Sequence, residues 1–276
     1  MLTARALSVV TATFLLAVPP PSALRAQVSS PGASNTVAVA AGQFPLPESL
    51  YYTIEWRLWY AGNARLTLRP GNDQHWQSDV HLESAGLVSK LYAINDNYVA
   101  QLDTTRFCAD DTSFDAREGK VHKFTTVNYD YHRHQASYVE RDMLKNTVLK
   151  TAQPEIPACV TDVIGGLMRL RTMHLEPGQS TQMPTSDGKK VVNVKIEAQE
   201  RETIQTRLGK FQTVRYEANI FNGVLYKRNA RMFVWLTDDP RRLPVQIRVR
   251  MQFVIGTITL TLDKEEHSDK AMAAIR

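Results

Sequence analysis

The chain has 276 residues, 43% of them hydrophobic and 22% charged, with a formal net charge of +5 and only two cysteines. Its basic and acidic side chains interleave along the whole length instead of gathering in one stripe, which argues against a nucleic-acid binder. Two widely spaced cysteines, Cys108 and Cys159, are too few for a zinc cluster and too far apart for a CxxC redox pair.

In chain order, the first 26 residues read as a cleaved export signal. Arg5 charges a short leading region, Ala6 to Val18 is apolar to weakly polar, and Pro19, Pro20 and Pro21 end any helix. Cleavage after Ala23 or Ala26 fits the small residues there. The apolar run is too short for a bilayer core of ~30 Å, which takes roughly 20 residues. Removing Arg5 and Arg25 with the signal lowers the net charge from +5 to +3. Nothing later in the sequence is long and apolar enough for a transmembrane span. The mature chain is therefore expected in the periplasm, where an even cysteine pair reads as a Cys108–Cys159 disulfide, with two buried thiols as the alternative.

Residues 27–43 are small, uncharged and aperiodic, the composition of a flexible leader. A single β-rich domain is expected over residues 44–262, followed by a charged tail, residues 263–276, either frayed or a short solvated helix. Within the domain, period-two alternation marks half-buried strands. Tyr52, Ile54, Trp56, Leu58 and Tyr60 share one face; a turn at Ala61–Asn63 leads into Ala64, Leu66 and Leu68. Val192 to Ala198 and Val214 to Ile220 alternate likewise, the latter after a turn at Leu208–Lys210. Val245, Ile247, Val249, Met251, Phe253 and Ile255 form the longest apolar face, and the parity flips after Gly256. A bulge or bend at Gly256 within one long strand accounts for the flip and would let a sheet curl.

Two segments break the strand pattern. Gly86 to Ile94 spaces Leu87, Leu91 and Ile94 for one or two helical turns. Thr161 to Met173 predicts the main helix, capped by Thr161 or Asp162. Gly165 and Gly166 inside it imply either a close contact with a strand or ligand, or a kink.

No catalytic or phosphate-binding signature occurs: GxSxG, HExxH, the P-loop and GxGxxG are all missing. Asp130, His132 and His134 fall on one strand face and raise a zinc or copper site, but one strand rarely supplies a full ligand set. Asp110–Asp111 and Asp238–Asp239 are adjacent carboxylates that would point to opposite faces of a strand and read as turn residues.

Two segments carry a family resemblance. Asp162-Val-Ile-Gly-Gly-Leu-Met-Arg-Leu-Arg171 is followed by Glu176-Pro-Gly178, and Val234-Trp-Leu-Thr-Asp-Asp-Pro-Arg-Arg-Leu-Pro-Val245 leads on to Ile255–Gly256. With the opening hairpin, they resemble the exported bacterial family catalogued as domain of unknown function 3108. The resemblance implies a secreted β-rich domain with no assigned activity. It marks Asp162, Arg171, Trp235, Asp239 and Pro244 as structural motif positions. The family often has Ser-Ala where this chain has Gly165–Gly166.

The expected fold is mainly β: a curved antiparallel sheet or open β-barrel with one central helix and one short helical segment. The expected function is non-enzymatic binding of an apolar or amphiphilic envelope ligand, a lipid or apolar small molecule, without a cofactor. Trp56, Leu58, Leu66, Met251 and Phe253 are the candidate cavity residues, unless a two-layer sandwich consumes them as core. The alternatives are a structural or protein-interaction role in envelope maintenance, with an envelope protein as partner, and an unrecognised enzyme.

Overall fold

The structure, a computed structural model, describes residues 47–71, 75–251 and 256–267. The expected signal and leader, and Phe253, lie outside the described residues.

Among the described residues the chain forms β1 (Glu48–Trp56), β2 (Trp59–Pro70), β3 (His75–Ser84), α1 (Gly86–Leu91), β4 (Asn95–Asp103), β5 (Ala109–Glu118), β6 (Val121–Asp130), β7 (Gln135–Asp142) and β8 (Thr147–Ala152). It continues with α2 (Val163–Arg171), β9 (Ser180–Ser186), β10 (Val191–Thr206), β11 (Gly209–Ala218), β12 (Ala230–Thr237), β13 (Pro244–Met251) and β14 (Thr257–His267). All 14 strands belong to one sheet, in the order β8-β7-β6-β5-β4-β3-β2-β1-β14-β13-β12-β11-β10-β9. Strands β1 to β8 run outward as one antiparallel meander and β9 to β14 return as another. Antiparallel pairing of β1 with β14 joins the two meanders in the middle, leaving β8 and β9 as unclosed edges.

Alternation explains which side of each strand is buried. Leu50, Tyr52 and Ile54 of β1 face inward beside Ala64, Leu66 and Leu68 of β2, as their period of two requires. The sheet curls about α2, whose residues split between two cores. Ile164, Leu167 and Met168 pack with Leu50, Leu66, Leu102 and Tyr129, whereas Val163 and Leu170 pack with Met183, Val194, Tyr216 and Leu236. The open β-barrel expectation is met, with α2 as the central helix and α1 as the short one.

Three boundaries differ from the sequence reading. The first hairpin turns at Arg57–Leu58, where Arg57 takes a φ of 61°, and not at Ala61–Asn63. Leu58 therefore leaves the apolar face and stands in solvent. The long final strand is two strands: β13 and β14 pair with each other from Gln246↔Thr261 to Arg250↔Thr257. The parity flip at Gly256 thus marks a chain reversal instead of a bulge. Ordered strand also runs past Leu262, because Asp263–His267 extends β14 alongside the start of β1.

Candidate functional site

The middle of α2 meets the β4–β5 end of the sheet. Asp162 caps the helix as expected, its carboxylate accepting from the amides of Ile164 (3.1 Å) and Gly165 (2.9 Å). A Cβ on Gly165 would lie 2.7 Å from the Phe107 carbonyl oxygen and 3.1 Å from Leu102, so close approach, not a kink, explains this glycine. Cys108 and Cys159 are bonded, with their Cα atoms 5.3 Å apart. The bond fastens the segment entering α2 to that same end, helped by the Ala109 amide donating to the Val160 carbonyl at 2.8 Å.

At its other end α2 carries Arg171, a fully buried guanidinium. It donates to both carboxylate oxygens of Glu48 (2.6 and 2.9 Å) and to the carbonyls of Arg242 (3.2 Å) and Arg241 (3.4 Å). The two segments of the family resemblance therefore meet here, through one side chain. Asp239 shapes the β12–β13 loop by accepting from Thr237 Oγ1 and the Arg241 amide, each at 2.9 Å. Pro244 opens β13, and its carbonyl takes the Tyr52 hydroxyl at 2.8 Å. Trp235 is buried on the opposite face of β12, with Arg248 4.9 Å above its ring.

Beyond the N-terminus of α2 the core stops being filled. A cavity of about 620 Å³ lies over the inner faces of β3 to β7, walled by Val80, Phe114, Ala116, Val121, Val127 and Ile164. Tyr98, Tyr129 and Tyr138 form its aromatic floor, and Lys123, Glu140, Glu118 and Lys189 stand around it. The small inward residues Thr112, Ala116 and Thr125 are what leave the space. One wall is the β9–β10 turn, where Gly188 has a φ of 82° and a Cβ would come within 2.4 Å of Val127. Only glycine allows that turn to lie against β6 and β7.

Polar groups in the cavity satisfy one another. The Tyr98 hydroxyl donates to Asp162 at 2.7 Å, the Tyr138 hydroxyl to Glu140 at 2.6 Å, and Lys123 pairs with Glu140 at 2.9 Å. Burial, then the charge of Asp162, pushes the Tyr98 hydroxyl well above its ordinary value, and burial pushes Tyr226 up to about 12. Burial also raises the Asp162 carboxyl, while hydrogen bonds from Tyr98 and the helix amides pull it down. Among the described residues no histidine or cysteine belongs to the lining, and Ser186 Oγ donates to the Lys190 carbonyl (3.0 Å) and accepts from the Gly188 amide (2.9 Å). The site is suited to enclosing apolar matter with a few fixed polar contacts, the general form of a small-molecule pocket.

The four described residues expected to line a cavity do not line this one. Leu66 is core, Trp56 packs half-buried at the core margin, Leu58 is exposed at the β1–β2 turn, and Met251 is buried beside Ala230 at the end of β13. The void sits under strands whose inner faces mix small, aromatic and charged residues. Asp130, His132 and His134 fall at the β6–β7 turn, with both imidazoles exposed and Asp130 accepting from the Arg133 amide at 3.0 Å. Their ligand atoms do not converge. Among the described residues the acidic and histidine side chains that do converge are Glu48, Glu265 and His267, within 4.8 Å of one another. Arg171 on Glu48 and Arg241 on Glu265 (3.3 Å) already supply the cationic charge there.

The family model described as "Protein of unknown function (DUF3108)" matches residues 51–263. The chain belongs to the DUF3108 family. The matched span runs from β1 into β14, so the whole curled sheet and α2 constitute the DUF3108 domain. No curated protein matches it. Among solved structures, a β-barrel-like protein of domain of unknown function DUF1849 from Brucella abortus is similar, with a TM-score of 0.54 at 8% identity, covering 82% of this chain and 99% of that one. That likeness shows a shared fold. A putative exported protein with a YmcC-like fold from Bacteroides fragilis aligns more loosely, with a TM-score of 0.34 at 10% identity over 80% of this chain and 95% of that one.

Asp162→Ala in the DUF3108 domain is expected to lower stability at neutral pH by about 0.5–2 kcal/mol through loss of the cap, with Asp162→Ser milder. The folded carboxyl titrates above its ordinary value, so its protonation adds stability that is present at low pH and absent above the folded pKa. The gap between wild type and Asp162→Ala should therefore widen as pH falls toward the carboxylate range. Paired denaturant titrations at several pH values test this; a gap that narrows there contradicts it.

Proposed function

We propose that this chain is an exported, non-enzymatic binding protein whose ligand is apolar or amphiphilic and occupies the cavity beside the N-terminus of α2. The observation that carries the reading is the cavity itself: about 620 Å³ of space continuous with the hydrophobic core, walled by valines, Phe114 and Ile164 over a tyrosine floor. Its volume falls within the roughly 300–1,000 Å³ of ligand pockets. The space is partly open to solvent, which gives a ligand a way in. The paired charges at Lys123 and Glu140 give a polar group something to meet while an apolar body is enclosed. Placement in the periplasm rests on the export pattern of residues 1–26 and agrees with the Cys108–Cys159 bond, which an oxidising compartment favours.

Ala116→Trp is the test, since Ala116 is buried on β5 with its side chain toward the space. The wild type should bind the apolar fluorophore N-phenyl-1-naphthylamine saturably. Ala116→Trp should weaken that binding about tenfold or more while leaving the unfolding free energy within about 1 kcal/mol of wild type. A closed core would give the reverse: a variant destabilised by about 1–3 kcal/mol through overpacking, with no saturable binding to lose.

A further inference from the structure

In an antiparallel meander, alternate connections lie at the same end of the sheet. The β1–β2 turn, the β3–β4 connection with α1, the β5–β6 turn and the β7–β8 turn therefore share one end. They touch in sequence. The Ala85 amide donates to the Ala61 carbonyl at 2.8 Å, the Gly119 amide to Ala93 at 2.7 Å and the Met143 amide to His122 at 2.9 Å. The Tyr92 hydroxyl donates to Glu118 at 3.2 Å.

Every one of these tips is apolar and exposed. Leu58, Trp59, Leu87, Leu91 and Leu144 are between 66% and 89% exposed, with Tyr60, Tyr92, Val121 and Met143 beside them. The opposite end is far poorer in them among the described residues: its turns carry Thr104, Thr105 and Arg106, then His132, Arg133 and His134, Phe107 is buried, and Leu208 of the β10–β11 turn is its one exposed large apolar side chain, at 44%. Four neighbouring connections showing large apolar residues, against a single exposed leucine in the described turns of the other end, is not the scatter expected of a soluble surface.

Charge adds a second, independent observation. Each tip also holds a cation: Arg57, Lys90, Lys120 and Lys145. Among the described residues no carboxylate forms an ion pair with any of the three lysines, all of them exposed. Nearby Asp142 is engaged by the Leu144 and Lys145 amides (2.9 and 3.0 Å), and Glu118 by Tyr92. Aliphatic tips, amphipathic Trp and Tyr rings and lysines at one level match the layers of an anionic lipid surface: acyl boundary, interface and headgroup phosphate. Glu118 and Val121 belong both to this end and to the cavity lining, so the space extends to these tips.

We propose that this end of the sheet docks on an anionic lipid bilayer, with the leucines and Trp59 in the headgroup region and the lysines on its phosphates. The corollary that the cavity exchanges its occupant with that bilayer rests on the ligand reading above; the docking itself does not.

The test is co-sedimentation of the full chain with phosphatidylcholine vesicles, with and without phosphatidylglycerol, at low and high salt. Two variants share the wild-type N-terminus: Leu58→Ser/Trp59→Ser/Leu91→Ser and Lys90→Ala/Lys120→Ala/Lys145→Ala. Wild type should sediment with the phosphatidylglycerol vesicles, less so at high salt, and each variant should bind about tenfold more weakly. Circular dichroism should show both variants folded. Both should still bind N-phenyl-1-naphthylamine without vesicles, which separates failure of docking from failure of the cavity reading. Wild type that ignores the vesicles, or variants that sediment equally well, would overturn the proposal. So would a wild-type dimer that the apolar variant dissolves, since the patch would then serve a second copy.

Discussion

Arg171→Ala is expected to lower the unfolding free energy by about 3–5 kcal/mol, the usual effect of removing one member of a buried ion pair. The guanidinium and the Glu48 carboxylate are both buried, at 0% and 2% exposure, and share two hydrogen bonds of 2.6 and 2.9 Å. Alanine would strand the carboxylate and also leave the Arg241 and Arg242 carbonyls without their donor. Because Arg171 ties α2 to β1 and to the β12–β13 loop, the loss should loosen the seam between the two meanders. The double variant Arg171→Met/Glu48→Leu should recover part of the loss, since an apolar pair of similar volume leaves no buried charge. The carbonyls would remain unsatisfied, so recovery should be incomplete. Chemical denaturation of the three proteins decides it; an Arg171→Ala loss under about 1 kcal/mol would refute the seam.

The disulfide should rank next. Cys108 and Cys159 are 51 residues apart, for which the chain-entropy relation gives a stabilisation on the order of 4 kcal/mol. Cys108→Ser/Cys159→Ser should shift the denaturant midpoint accordingly, and reduction of the wild type should match it. Position makes a second effect expected. The bond holds the segment leading to Asp162 against the β4–β5 end, so its loss should also weaken binding of the apolar fluorophore. Equal stability with and without reductant would show that the Ala109 amide on the Val160 carbonyl, with the Tyr131 hydroxyl donating to the carbonyls of Ala109 (2.6 Å) and Val160 (3.3 Å), fixes that segment unaided.

Much of this architecture was legible from alternation and capping alone. The inward faces of β1 and β2, the Asp162 cap, the helix over Val163–Arg171 and the cysteine pairing follow from local chemistry that the sequence states directly. What misled was apolar residues outside the core. Leu58 and Tyr60 continue the parity of β1 through the turn, so period two extends a strand past its end. The same continuity fused β13 with β14, because a hairpin connection rich in apolar residues lacks the usual turn chemistry. The cavity was hidden for the opposite reason. Its walls alternate Thr112, Phe114, Ala116 and Glu118, and Val121, Lys123, Thr125, Val127 and Tyr129, a mixture that reads as a weak strand face. Small residues facing inward on neighbouring strands were the available signal. Arg171 as a hub was not legible, since its partner Glu48 lies 123 residues away and only the fold brings them together.

Native mass spectrometry of the protein released gently from its producing cells bears most directly on the ligand reading. The wild type should carry an extra mass of a lipid-like amphiphile that organic solvent removes, and Ala116→Trp, prepared identically, should be bare. Bare polypeptide mass in both, with N-phenyl-1-naphthylamine failing to bind either, would contradict a ligand in this cavity.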